Sequence, residues 1–190
     1  MPQPVSIAGR SSSISNSFAN GIIPCIEPSK EEIHNALSVL GMKEDDVRCA
    51  YCGEPFSEWD HLNPLIINKE PTGYISEINN LVPACGKCNQ SKGNKKWEEW
   101  FIGDSPRAQE IRQNNDYNDR KAKLKKYEKE FKPRRINFEE LIGKKEWDEY
   151  KSARDKILDA MKNCQEKQNS IKKVVREKIK DNTITQITAT

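Results

Sequence analysis

Hydrophobic and polar positions divide the chain into three regimes. Residues 1–28, with Ser11, Ser12, Ser13, Ser15, Ser17, Gly21 and scattered prolines, hold no sustained period and predict a flexible N-terminal arm. A helical pattern follows in segment 29–47. Ser29 can cap it, Glu31 and Glu32 sit in its first turn, Ile33, Leu37 and Leu40 share one face, and Gly41 stops it, so a helix is expected over about residues 30–40. Residues 48–103 carry short apolar runs between Cys, Gly, Asn and Pro. Trp59 to Ile67 reads as a strand, Pro71, Thr72 and Gly73 as a loop, and Ile78 to Val82 as the returning strand. From Cys85 a short helix runs to Gly93, and Asn94 is placed to cap another through Trp97, Trp100 and Phe101 that ends near Gly103.

Residues 104–181 predict a helical extension. Ser105 and Pro106 restart the chain, and 107–131 are basic, with Ile111, Tyr117, Leu124, Tyr127 and Phe131 as the apolar positions. Helix is again expected from Phe138 to Asp181, broken near Gly143. There Trp147, Tyr150, Ile157, Met161, Cys164, Ile171 and Val175 alternate in steps of three and four, with Arg154 and Gln168 filling the gaps. Two readings stay open: a seam for a homodimer, or a helix lying on its own domain. The tail, 182–190, carries no functional signal.

Composition then limits the class. A chain of 190 residues with 35% hydrophobic content suits one compact domain and an appendage. It has no apolar run of the roughly 18 residues a membrane span needs and no apolar stretch at its start of the kind that directs secretion, so a cytoplasmic location is expected. Charge is uneven: residues 1–90 hold 6 Lys/Arg against 11 Asp/Glu, and residues 91–190 hold 26 against 18. The second half is the one suited to a polyanion.

Six cysteines without an export signal favour reduced thiols. Cys49-Ala50-Tyr51-Cys52 and Cys85-Gly86-Lys87-Cys88 are two Cys-x-x-Cys knuckles, and four thiolates match tetrahedral zinc with no position left for water, hence a structural ion. The 32 residues between the knuckles exceed a zinc-ribbon interval, so a folded unit must be inserted between the ligand pairs. Four buried thiols or two disulfides are the alternative. Cys25 and Cys164 fall outside the pattern.

The insert contains the candidate chemistry. Trp59-Asp60-His61-Leu62-Asn63-Pro64 occupies the first strand segment, and Asn79 to Asn94 reads Asn-Asn-Leu-Val-Pro-Ala-Cys-Gly-Lys-Cys-Asn-Gln-Ser-Lys-Gly-Asn. Together with the first knuckle, these pieces make residues 48–96 resemble the HNH, or ββα-metal, nucleases. The resemblance implies an α+β fold: a small zinc-bound ββα-metal core with α-helical N-terminal and C-terminal extensions. It also implies His61 as general base, Asp60 and Asn89 as ligands of a catalytic divalent ion, and Asn80 as the structural residue bracing the loop that holds His61.

Chemistry agrees with those roles. Hydrolysis of a phosphodiester needs a base for water and a cation at the leaving oxygen, and a neutral imidazole and an oxygen-bound metal provide them. Family members often carry His among the metal ligands; a carboxylate and an amide instead suit Mg²⁺ or Mn²⁺. Read without its neighbours, His61 is more often an ordinary strand histidine than a base, and its placement beside Asp60 between the knuckles reverses that; His34 is given no role. Lys92, Lys95, Lys96, Arg107 and Arg112 are the candidates for phosphate contacts. The resulting expectation is an endonuclease acting on double-stranded DNA, of the type II restriction kind. A homing or phage-type nicking enzyme and a non-catalytic zinc-dependent DNA-binding module are the alternatives.

Overall fold

A computed structural model describes residues 6–180; the tail 182–190 lies outside the described residues. Helix α1 (Ser11–Ile22) is followed by α2 (Lys30–Val39), whose start is held by a capping box in which Ser29 Oγ accepts from Glu32 N and the Glu32 carboxylate accepts from Ser29 N. Strand β1 (Glu58–His61), the two-residue β2 (Ile66–Ile67) and β3 (Glu70–Pro71), then β4 (Leu81–Ala84) and α3 (Gly86–Lys92) complete the central portion. Four helices lead into the C-terminal rod: α4 (Trp97–Ile102), α5 (Pro106–Arg112), α6 (Tyr117–Phe131) and α7 (Phe138–Ile142). The rod is α8 (Lys144–Lys180), 37 residues long.

Strands β1 and β4 pair antiparallel, Glu58 opposite Ala84 and His61 opposite Leu81. The strand expected over Trp59 to Ile67 is thus shorter than its apolar pattern, because Asn63 turns its backbone to the Asn80 side chain and Pro64 has no N–H for a ladder. The return strand is also shifted: Ile78–Asn80 is a tight 3-10 turn, and pairing begins at Leu81. The expected helix at 107–131 is two helices, with Ser105 Oγ capping α5 and residues 113–116 separating it from α6. Gly143, at φ 89, makes the break before α8, a conformation that favours glycine.

The core lies where α4, α5 and α6 cover the face of β1 and β4. Tyr51 meets Trp100 edge-on at 5.1 Å, and Phe101 stacks on Tyr117 at 4.9 Å. Leu62, Val82, Ile111, Leu124 and Tyr127 fill the space around them and are nearly inaccessible to water. Polar ends of the large rings are satisfied: Trp97 Nε1 donates to Glu128 at 3.0 Å, and Tyr127 Oη donates to the Ile78 and Leu81 carbonyls at 2.6 and 2.9 Å.

Residues 11–22, inside the stretch expected to be a flexible arm, are helical. Ile14, Ser15, Phe18, Ala19 and Ile22 make the covered stripe, a spacing that the serine-rich composition disguises. This helix packs on α8: the Phe18 and Tyr150 rings lie 5.7 Å apart, Tyr150 Oη donates to the Phe18 carbonyl, and Ile7 N donates to Gln165 Oε1 at 2.8 Å. Arg154, one of the gaps in the heptad-like series, reaches Glu70. Trp147, Tyr150 and Arg154 of that seam are therefore partly covered by their own chain, whereas Ile157 and, farther along, Ile171, Val174, Val175 and Ile179 are exposed.

Leu124 has no exposed surface and sits at the centre of the core, so Leu124→Ala should lower the unfolding free energy by about 2–5 kcal/mol. Urea denaturation followed by tryptophan fluorescence measures this; a loss under about 1 kcal/mol would contradict the packing.

Candidate active site and metal centre

The first cysteine pair stands on a tight turn. Cys49 N donates to the Glu54 carbonyl and Gly53 N to the Cys49 carbonyl, both at 2.8 Å, and Gly53 at φ 79 supplies the left-handed residue the turn requires. The second pair begins α3: Cys85 is its N-cap and Cys88 lies in its first turn. All four sulfurs fall within 4.8 Å of one another, and Cys52 and Cys85 Sγ are 3.7 Å apart. A tetrahedral ion with Zn–S bonds of about 2.3 Å places its sulfurs roughly 3.8 Å from each other, so the cluster has the dimensions of a metal site. Hydrogen bonds with Cys52 and Cys88 hold the Cys49 thiol well below the usual thiol range. Arg107 Nε donates to Cys88 Sγ at 3.4 Å, and its guanidinium is shared with Glu54 and Glu110. A fixed cation beside the cluster would offset the excess negative charge of four thiolates holding a dication.

Strand alternation separates the two neighbours at the end of β1. Asp60 turns inward, 4% exposed, and accepts from Tyr51 Oη at 2.6 Å and from Lys92 Nζ at 3.1 Å. Burial pushes the Asp60 carboxyl up, while Lys92 and Tyr51 oppose the rise; burial likewise pushes the Lys92 ammonium down while Asp60 holds it up. Lys92 comes from the end of α3, so this ion pair ties the strand to the helix that carries Cys85 and Cys88. Loss of one partner leaves a buried unpaired charge, a defect that typically costs about 3–5 kcal/mol.

His61 faces the loop before β4, with Nε2 3.0 Å from Ser76 Oγ. Burial, followed by the Lys92 charge, lowers its pKa to about 4, which leaves the imidazole neutral at neutral pH. Asn80, fully buried, holds both walls of this arrangement: its Oδ1 accepts from Asn63 N at 2.9 Å, and its Nδ2 donates to the Asn63 carbonyl at 3.0 Å and to the Ile75 carbonyl at 3.5 Å. One amide thus fixes the backbone just after His61 and just before Ser76. Asn63 Nδ2 continues the network to Glu128 of α6 at 3.0 Å. Asn89 is half-buried, one turn before Lys92 and hence on the same side of α3.

Three of the five candidate phosphate contacts are engaged inside the protein. The Lys92 side chain is 1% exposed and its ammonium is committed to Asp60, so it is not a free surface cation. Arg107 serves the cysteine cluster, and Arg112 donates to the Phe101 and Gly103 carbonyls at 3.0 and 2.8 Å, closing the end of α4. Lys95 and Lys96 are exposed. The residues that sequence reading passed over are Tyr51, Ser76 and Glu128. Tyr51 lay between two ligands inside the first knuckle, whereas Ser76 and Glu128 had no local pattern to reveal them.

Residues 49–95, the span that contains both knuckles, Asp60, His61, Asn80 and Asn89, match the family model for HNH endonucleases. This segment is an HNH endonuclease domain. A CRISPR-associated endonuclease Cas9 from Corynebacterium diphtheriae is 36% identical over 78 residues, a match covering 39% of this chain and 6% of that protein. The likeness is therefore to a small part of a much longer relative. No solved structure matches the chain. No helix among the described residues is long and apolar enough to cross a membrane.

Within the HNH domain Asn80 satisfies three backbone groups, so Asn80→Ala should destabilise by about 2–4 kcal/mol, above the ordinary cost of a single orphaned group. Thermal unfolding together with amide exchange at Asn63 reads this out. Unchanged exchange at that position would contradict the clamp.

Proposed function

We propose that the chain is a metal-dependent DNA endonuclease with a ββα-metal core, in which His61 acts as general base. The observation that carries this reading is a neutral, braced imidazole beside a buried carboxylate, both inside the HNH-matched span. With Nε2–H donated to Ser76 Oγ, His61 accepts at Nδ1 the proton of a water aligned with the scissile phosphorus; Ser76 keeps the ring from rotating, and Asn80 fixes the backbone at Asn63 and Ile75 on either side.

Asp60 and Asn89 are the residues that would hold a catalytic Mg²⁺ or Mn²⁺. Their donors are a carboxylate and an amide oxygen, the hard set such ions prefer, and Asp60 already draws one cation in Lys92. Tyr51 and Lys92 take one direction on each Asp60 oxygen, and a second lone pair remains on both. When bound, the ion supplies the positive charge that steadies the leaving oxygen. Zinc is the ion proposed for Cys49, Cys52, Cys85 and Cys88, where it has a structural part.

Double-stranded DNA is the proposed substrate. The net positive half of the chain, residues 91–190, and the exposed Lys95 and Lys96 next to the reaction centre support a polyanion there. Within this class the proposal is cleavage at a specific duplex site in the manner of type II restriction enzymes. Sequencing the ends of digested DNA tests it: defined ends on both strands support site-specific cutting, and one-strand nicks point to a homing or phage-type enzyme.

Two substitutions test the assignments. His61→Ala should lower cleavage of plasmid DNA with Mg²⁺ or Mn²⁺ by at least about 10²-fold while thermal stability and DNA affinity hold; cleavage at the wild-type rate would remove His61 as the base. Cys85→Ser should lose its zinc and unfold the core at ambient temperature, as judged by metal analysis and circular dichroism. Zinc retained at the wild-type stoichiometry would refute the four-cysteine site.

A further inference from the structure

The backbone leading to Ser76 forms one wall of a second feature. Tyr74 makes an isolated antiparallel bridge with Arg135, and Ser76 makes a parallel one with Cys25. Ile75 between them is buried while Tyr74 and Ser76 are half-buried, so the latter two project to the same side. Because Ser76 touches His61, Tyr74 lies on the imidazole's side of this segment, about 7 Å farther along. A cleft of about 270 Å³ opens there, lined by Pro64, Ile67, Glu70, Tyr74, Lys96 and Arg135 among others. Pro64 is three residues past His61 and Tyr74 two before Ser76, so two stretches of chain lead from the cleft lining to the His61 centre.

Its chemistry is that of an anion with a flat or apolar body. Arg135 uses Nε on the Thr72 carbonyl at 2.9 Å, lies 5.8 Å over the Tyr74 ring and makes no ion pair among the described residues. Its remaining guanidinium N–H groups form a fork suited to phosphate oxygens. Lys96, exposed, is a second cation in the lining. The acid in the lining, Glu70, is already neutralised by Arg154. A volume just under that of small-ligand pockets, roughly 300 Å³ and above, has room for one nucleotide unit of a bound strand.

We propose that this cleft is a strand subsite, taking the nucleotide next to the scissile phosphodiester, with Arg135 and Lys96 on its phosphate and Tyr74 and Ile67 against its sugar and base. The proposal rests on the nuclease reading of the His61 centre and adds residues outside the HNH-matched span, Arg135 above all. Arg135 and Lys96 fix register along the strand, and Tyr74 offers a sequence-tolerant stacking surface.

The test uses full-length protein carrying His61→Ala, so that a fluorescent duplex stays intact, with affinity measured by anisotropy across a salt series. Arg135→Gln and Lys96→Gln should each weaken binding several-fold and lower the slope of log affinity against log salt by about one. Arg135→Lys should keep most of the slope, and Lys43→Gln, outside the cleft, should change neither quantity. In the active protein Arg135→Gln should lower cleavage at subsaturating DNA more than at saturation. Melting temperatures within a few degrees of the parent exclude misfolding as the cause; for a variant that does not fold, Tyr74→Ser carries the same expectation of several-fold weaker binding. If the wild type cuts DNA but these variants bind and cut as it does, the cleft is overturned and the His61 reading stands. If the wild type neither binds nor cuts DNA, both fall.

Discussion

The geometry of the centre depends on four sulfurs meeting at one point. Cys49 and Cys52 precede β1, and Cys85 and Cys88 begin α3, so bringing their sulfurs within 4.8 Å closes the intervening chain into a loop with both strands inside it. A small β1–β4 ribbon has little stability by itself. Joined to α3 at the cluster, and covered by the aromatic residues of α4 with Tyr51 of the first knuckle, it becomes a fixed platform. Arg107 extends the same constraint to α5 through its bond to Cys88.

A second tie acts at the far end of α3. The Lys92 ammonium on the Asp60 carboxylate sets the helix against β1, and Tyr51 holds the other carboxylate oxygen. The cluster and the ion pair together determine where α3 lies over its whole length, and Asn89 is placed between them. His61 sits across the strand in a different setting, neutral and supported by Ser76 and Asn80. The division has a chemical sense: one face of β1 concentrates charge, and the other keeps an imidazole neutral.

Much of this was legible from the residues. The two knuckles, the Asp60-His61 pair and the Asn after Cys88 announced the HNH domain, and the cap at Ser29 marked a helix start that the structure retains, whereas α4 starts after Lys96 with no side-chain cap from Asn94. What escaped the sequence depends on contacts distant in the chain. Lys92 looks like a surface cation in the last turn of a short helix, and only the fold turns its ammonium inward to Asp60, 32 positions earlier. Helix α1 was hidden because a serine-rich segment borrows its stability from α8. The β1 strand was overestimated because apolar alternation continues past Asn63, while the hydrogen bonds that would continue the ladder go to Asn80 instead. The roles of Asp60, His61 and Asn89 in catalysis are assignments of chemistry to this geometry.

The most direct measurement is a stepwise removal of the cluster's metal with a thiol-directed reagent, at constant excess Mg²⁺, following released zinc, tryptophan fluorescence and DNA cleavage in one titration. The account predicts that all three change together with one equivalent of zinc, since Trp97 and Trp100 pack in the core that the cluster closes. Full release of zinc with fluorescence and cleavage unchanged would contradict it.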